Sequence, residues 1–182
     1  MKTSGWPGMF RTLVVAFILA FPVAVMAQDD DDNKIIADSK EAETAFINKD
    51  GLMKNLFNNS YGYVIFPNVG KGAIGVGGAA GNGIVYEGGK MVGKAKMKQV
   101  SVGFQFGGQV YREVIFFENK EALDRFKDGK FEFAAQASAV AVTEGISGNV
   151  KYRNGVMVFT QEKKGLMYEA SVGGQKFSYQ PF

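Results

Sequence analysis

Hydrophobic positions change their spacing twice along the chain, and each texture predicts a different element. Residues 12–25 are almost unbroken apolar. Over residues 34–58, Ile35, Ile36, Ala42, Ala45, Phe46, Leu52, Met53, Leu56 and Phe57 recur at intervals of three and four with charges between them, the period of helices with one buried face. Gly51 divides this stretch into two helices. Asp38 or Ser39 is the expected N-cap of the first and Asp50 of the second, since each offers a side-chain oxygen to unpaired backbone N–H groups.

Beyond Ser60 the period becomes two and glycine becomes dense. Tyr63-Val64-Ile65-Phe66 reads as a strand stopped by Pro67-Asn68, and short apolar pieces follow at residues 74–76 and 84–86. Val100, Val102, Phe104 and Phe106 alternate with small or polar residues. Gly107-Gly108 is then the expected hairpin turn into residues 110–117. There Tyr111, Glu113, Ile115 and Phe117 point away from Val110, Arg112, Val114 and Phe116. Asn119 caps a short helix over residues 120–127, which Asp128-Gly129 ends. Residues 131–143 fit both a helix, by their alanines, and a strand, by their alternation. Strands close the chain near residues 156–160 and 166–172, with a third at 176–179, and Asn154-Gly155 marks a hairpin turn before them. The predicted fold is α+β: a curved, largely antiparallel sheet or partly closed barrel, with N-terminal helices and one short inserted helix.

The N-terminus changes which residues count as the folded protein. Lys2 and Arg11 bracket a positive region, the apolar run that follows is about 14 residues, and Val25-Met26-Ala27 suits a signal-peptide cleavage site. That run is shorter than the roughly 18–20 residues a spanning helix needs. The expectation is a signal peptide at residues 1–27, an acidic disordered tether at 28–33 holding four consecutive aspartates, and a single domain at 34–182. The mature protein would then be exported, periplasmic or secreted, and with no cysteine after the cleavage site it would carry no lipid anchor.

Composition narrows the chemistry. The chain has no cysteine and no histidine, so it lacks disulfides, thiolate metal ligands and the usual general base near neutral pH. Its net charge is +3, of which Lys2 and Arg11 supply two, so the mature domain has no general electrostatic reason to seek nucleic acid. Glu113, Glu118, Glu132, Glu144 and Glu169 are scattered, with no pairing that marks an acid and a base. These features point away from an enzyme, and no catalytic residue, metal or cofactor is expected.

Two motifs remain. Gly70, Gly72 and Gly75 fit G-x-G-x-x-G, but the residues that follow are glycine and β-branched rather than helix-forming, so they read as structural glycines and no nucleotide is expected. Lys94, Lys96 and Lys98 share one face of an extended segment, with Lys90 as a further member and Ala95 and Met97 opposite. Such a row is either a solvated, edge-protecting face or a set of cations for anionic headgroups.

Residues 60–182 resemble the SYLF domain, a lipid-binding family found in bacteria and eukaryotes and related to the Ysc-type actin-binding domain. The resemblance is carried by Gly62-Tyr63-Val64-Ile65-Phe66-Pro67, by Gly70-Lys71-Gly72 and Gly75-Val76-Gly77-Gly78, and by Gly81-x-Gly83. It continues through Ser101-Val102-Gly103-Phe104-Gln105-Phe106-Gly107-Gly108-Gln109, Lys164-Gly165-Leu166-Met167 and Ser171-Val172-Gly173-Gly174. It implies a compact curved-sheet domain that binds phospholipid, and it favours strand over helix for residues 131–143. The acidic run and the mixed-charge helix depart from the basic N-terminal segment of phosphoinositide-binding relatives, so the named lipid is not carried over. The expected partner is a phospholipid or membrane surface, contacted by Lys71, Lys94, Lys96, Lys98, Arg112, Lys151 and Arg153. The alternative is a structural or protein-interaction module of the bacterial envelope, with an envelope protein as partner.

Overall fold

The structure, a computed structural model, describes residues 23–74, 76–101, 109–131, 133, 138–142, 150–164 and 170–182. Helix α1 runs over Val23–Lys49 and α2 over Gly51–Asn59. Asp50 caps α2 as its sequence position predicts, its side chain accepting from Leu52 N–H at 2.7 Å. The cap expected at Asp38 or Ser39 is not there, because α1 continues past both toward the N-terminus. Residues 28–33 are accordingly helical rather than a disordered tether. Aspartate is a poor helix former, but Asp32 gains a lysine on the sheet and Asp38 an asparagine, contacts between residues far apart in sequence. Ser39 faces the sheet and is fully buried.

The strands are β1 (Gly62–Ile74), β2 (Val76–Glu87), β3 (Lys90–Ser101), β4 (Gln109–Phe117), β5 (Ser138–Ala141), β6 (Val156–Lys164), β7 (Ala170–Ser171) and β8 (Gln175–Pro181). Their spatial order is β7-β5-β6-β4-β1-β2-β3-β8. Only the β5–β6 pairing is parallel among those described. Pro67-Asn68 does not end the first strand. A register shift between Ile65 and Asn68 absorbs the proline, which has no N–H to donate, and the ladder resumes beyond it. Nor do β3 and β4 form a hairpin, since β1 and β2 lie between them; residues 102–108, where that turn was expected, lie outside the described residues.

Both faces of the central strands are covered, which is why their apolar runs are continuous. One core joins Phe66, Met97, Ile115 and Phe117 to Leu123 and Phe126 of α3 (Lys120–Lys127). The other lies under α1 and α2, where Phe46, Met53 and Phe57 cover Ile65, Ile84 and Phe116. Gly83 permits close approach in this packing: a Cβ there would meet the Ile65 carbonyl oxygen at 2.6 Å and the Phe66 ring at 2.7 Å. Asn154 (φ 51°) and Gly155 (φ 78°) make the expected two-residue turn. Asn119 caps α3 by accepting from Ala122 N–H at 3.0 Å. Asn119→Ala should cost about 1 kcal/mol of stability, read by urea denaturation.

The sheet does not close through hydrogen bonds among the described residues. Its two margins are nevertheless joined by only residues 172–174, since β7 pairs with β5 and β8 pairs with β3. Chain reach then brings Ser171 and Gln175 within about 14 Å. Gln175 Nε2 of β8 donates to Glu113 Oε2 of β4 at 2.9 Å, and Gln99 Nε2 of β3 donates to the Gly173 carbonyl at 2.9 Å.

Candidate functional site

The lysine row sits on the face of the sheet that α1 packs against. In β3, Ala95 and Met97 are buried on the opposite face, while Lys96 and Lys98 are exposed and Lys94 is half-buried. Lys94 differs from the others because Asp32 holds its ammonium through both carboxylate oxygens, at 2.9 and 2.8 Å. Arg112, on β4, shares this face and is also engaged, donating to Glu41 at 3.0 Å. Helix α1 therefore neutralises two of the expected lipid-binding cations.

A residue the sequence reading missed completes the row. Lys176 of β8 stands directly opposite Lys98 of β3, and both are exposed. Their neighbours Gln99, Gln175 and Phe177 are buried, which places both lysines on the outer face. Neither Lys96, Lys98 nor Lys176 has an ion pair among the described residues. The alternation of Lys176 with buried Gln175 and Phe177 was available in the sequence, but the pairing of β8 with β3 was not.

The other expected residues are not gathered here. Lys71 lies on β1, in register with Ala79 and Gln109, in a stretch of which only the backbone is described. Lys151 and Arg153 are exposed beside the Asn154-Gly155 turn, where β6 begins opposite Phe117. That is the far end of the sheet from Lys98.

Between α1 and the sheet runs an open groove of ≈ 790 Å³, walled by Asp31, Asp32 and Asp38 of α1 and by Asn68, Asn82, Lys94, Lys96 and Ser178 of the strands. Asn68 ties the two walls together, donating to Asp38 Oδ2 at 3.0 Å and accepting from Lys163 Nζ at 2.7 Å.

The glycine motif at Gly70 and Gly72 lies within β1, which turns into β2 rather than into a helix. Glu113 is the one fully buried carboxylate among the described residues. Burial pushes its carboxyl up to about 7 against the lowering effect of the Gln175 hydrogen bond. Of the five scattered glutamates, Glu132, Glu144 and Glu169 lie outside the described residues.

The family described as Las17-binding protein actin regulator, Ysc84, matches residues 98–180. Beta cell expansion factor A from Aeromonas veronii is 30% identical over 148 residues, covering 78% of this chain and 56% of that protein. This chain thus aligns with little more than half the length of that relative. Residues 98–180 thus match the Ysc84 (SYLF) family model, and the resemblance seen in the sequence is borne out. The matched segment includes Lys98, Arg112, Lys151, Arg153 and Lys176, whereas Lys71, Lys94 and Lys96 precede it.

Proposed function

We propose that this chain is an exported, non-enzymatic module that adheres to phospholipid membrane surfaces through the outer-face lysines of β3 and β8. The observation that carries the reading is the Lys98–Lys176 pair, two exposed ammonium groups in directly opposed cross-strand positions. Like charges so placed repel, and an anion shared between them relieves the repulsion. An anionic bilayer supplies such groups, contributing about 1 kcal/mol per lysine near its surface. Export is supported by the signal-like texture of residues 1–27.

The double variant Lys98→Gln/Lys176→Gln is expected to weaken binding to phosphatidylcholine–phosphatidylglycerol vesicles about 30-fold, measured by co-sedimentation. Unchanged pelleting would end the assignment to these lysines. A protein that stays in the supernatant with both anionic and zwitterionic vesicles would favour the second reading, a protein-interaction module, which the family's description as Las17-binding supports. Intact mass of the protein recovered from its producing cells tests export: a mature N-terminus at Gln28 is expected, and retention of residues 1–27 contradicts it.

A further inference from the structure

The groove between α1 and the sheet has two walls of different chemistry. On the sheet, Asn82, Lys96 and Ser178 are direct cross-strand neighbours in one row across β2, β3 and β8. An amide, an ammonium and a hydroxyl therefore stand side by side at about 5 Å intervals. All three are exposed, and none has a side-chain partner among the described residues. The next member of the row, Asn68, is already committed to Asp38 and Lys163.

The helix wall offers acceptors instead. Asp32 is consumed by Lys94. Asp31 is exposed, and Asp38 engages Asn68 through Oδ2 with no other side-chain partner among the described residues. In charge the groove is balanced, Asp31, Asp32 and Asp38 against Lys34, Lys94 and Lys96. A lone anion placed there meets three carboxylates, and a lone cation meets three ammonium groups. A molecule carrying a phosphate at one end and a primary ammonium at the other satisfies both walls at once, the ammonium donating hydrogen bonds that a quaternary amine cannot.

We propose that this groove binds an amino-phosphate zwitterion of the phosphoethanolamine type, its phosphate on Asn82, Lys96 and Ser178 and its ammonium on Asp31 and Asp38. This rests on the membrane-surface reading above and names the headgroup for it. The same chemistry occurs on a lipid and on a soluble headgroup, so the test has an arm for each.

In the soluble arm, the full chain labelled with ¹⁵N is titrated with glycerophosphoethanolamine and, separately, with glycerophosphoglycerol, which keeps the phosphodiester and lacks the amine. The zwitterion should bind about tenfold tighter and shift the amide signals of Asn82, Lys96 and Ser178. Lys96→Gln should weaken it about tenfold, and Asp31→Asn/Asp38→Asn should bring the two compounds to equal affinity. Equal binding by the unaltered protein, or selectivity that survives the aspartate changes, overturns the proposal. In the lipid arm, equimolar phosphatidylcholine–phosphatidylethanolamine vesicles should sediment the protein better than phosphatidylcholine alone. If the soluble zwitterion is selected but no vesicle is bound, the groove stands and the membrane reading falls. If anionic vesicles bind while neither the soluble zwitterion nor phosphatidylethanolamine is selected, the membrane reading stands and the groove proposal falls.

Discussion

Phe177→Ala is expected to cost about 3–5 kcal/mol of folding stability, read as a lowered urea midpoint with an unchanged slope. The ring is the hub of an aromatic cluster, with centroids 5.9 Å from Phe66, 5.1 Å from Phe126, 6.1 Å from Phe131 and 5.9 Å from Phe133. It also carries the marginal strand β8, whose hydrogen-bonded neighbour in the sheet among the described residues is β3. Removing the ring leaves a cavity between the sheet and α3 and withdraws the inner anchor of the segment that presents Lys176 and Ser178. Binding to anionic vesicles should therefore weaken along with stability. Phe177→Leu, which keeps most of the volume, should cost about 1 kcal/mol and leave vesicle binding intact. A loss below about 1 kcal/mol for the alanine variant would mean that β8 is held by its hydrogen bonds and not by this cluster.

Local chemistry was legible in the sequence, and long-range pairing was not. The caps at Asp50 and Asn119 and the Asn154-Gly155 turn stand where their side chains and backbone freedom demand, because each acts within a few residues of itself. The alternation in residues 110–117 told which side chains part company, and the two cores confirm it for Ile115 and Phe117 against Val114 and Phe116. Pro67 misled because a bulge can absorb a proline, and the signature of that bulge lies in partner strands. The aspartates of residues 29–32 misled in the same way. Their composition reads as solvated chain, whereas Asp32 is held by Lys94, 62 residues away. The lysine row was visible in β3, but Lys176 entered the site only once β8 was known to pair with β3. Arg112, Lys151 and Arg153 looked equivalent by composition. Their separation into one cation held by Glu41 and two at the opposite end of the sheet follows from strand order.

Stability should fall as the pH rises from about 4.5 toward 7, and Glu113 is the cause. This side chain is fully buried on the inner face, with Gln175 donating to Oε2 and with no partner for Oε1 among the described residues. Thr160 stands directly opposite on β6, its hydroxyl also without a partner there, and Tyr111 lies two residues away on the same face. Loss of water outweighs the Gln175 hydrogen bond and lifts the carboxyl from 4.5 to about 7. The folded state thus keeps its proton through a window in which the unfolded chain has released it. The stabilisation is fully present below the unfolded value and is lost as the pH climbs through the folded one, an effect of about 3 kcal/mol. Glu113→Gln replaces the carboxylate with a neutral amide that still accepts from Gln175 and can donate to Thr160. Relative to the unaltered protein it should be nearly neutral in stability at pH 4.5 and about 3 kcal/mol more stable at pH 8, by urea denaturation at each pH. Because every other titrating group is common to both proteins, the difference between their curves isolates Glu113. A pH-independent difference would show that the inner face already holds the ionised carboxylate without penalty.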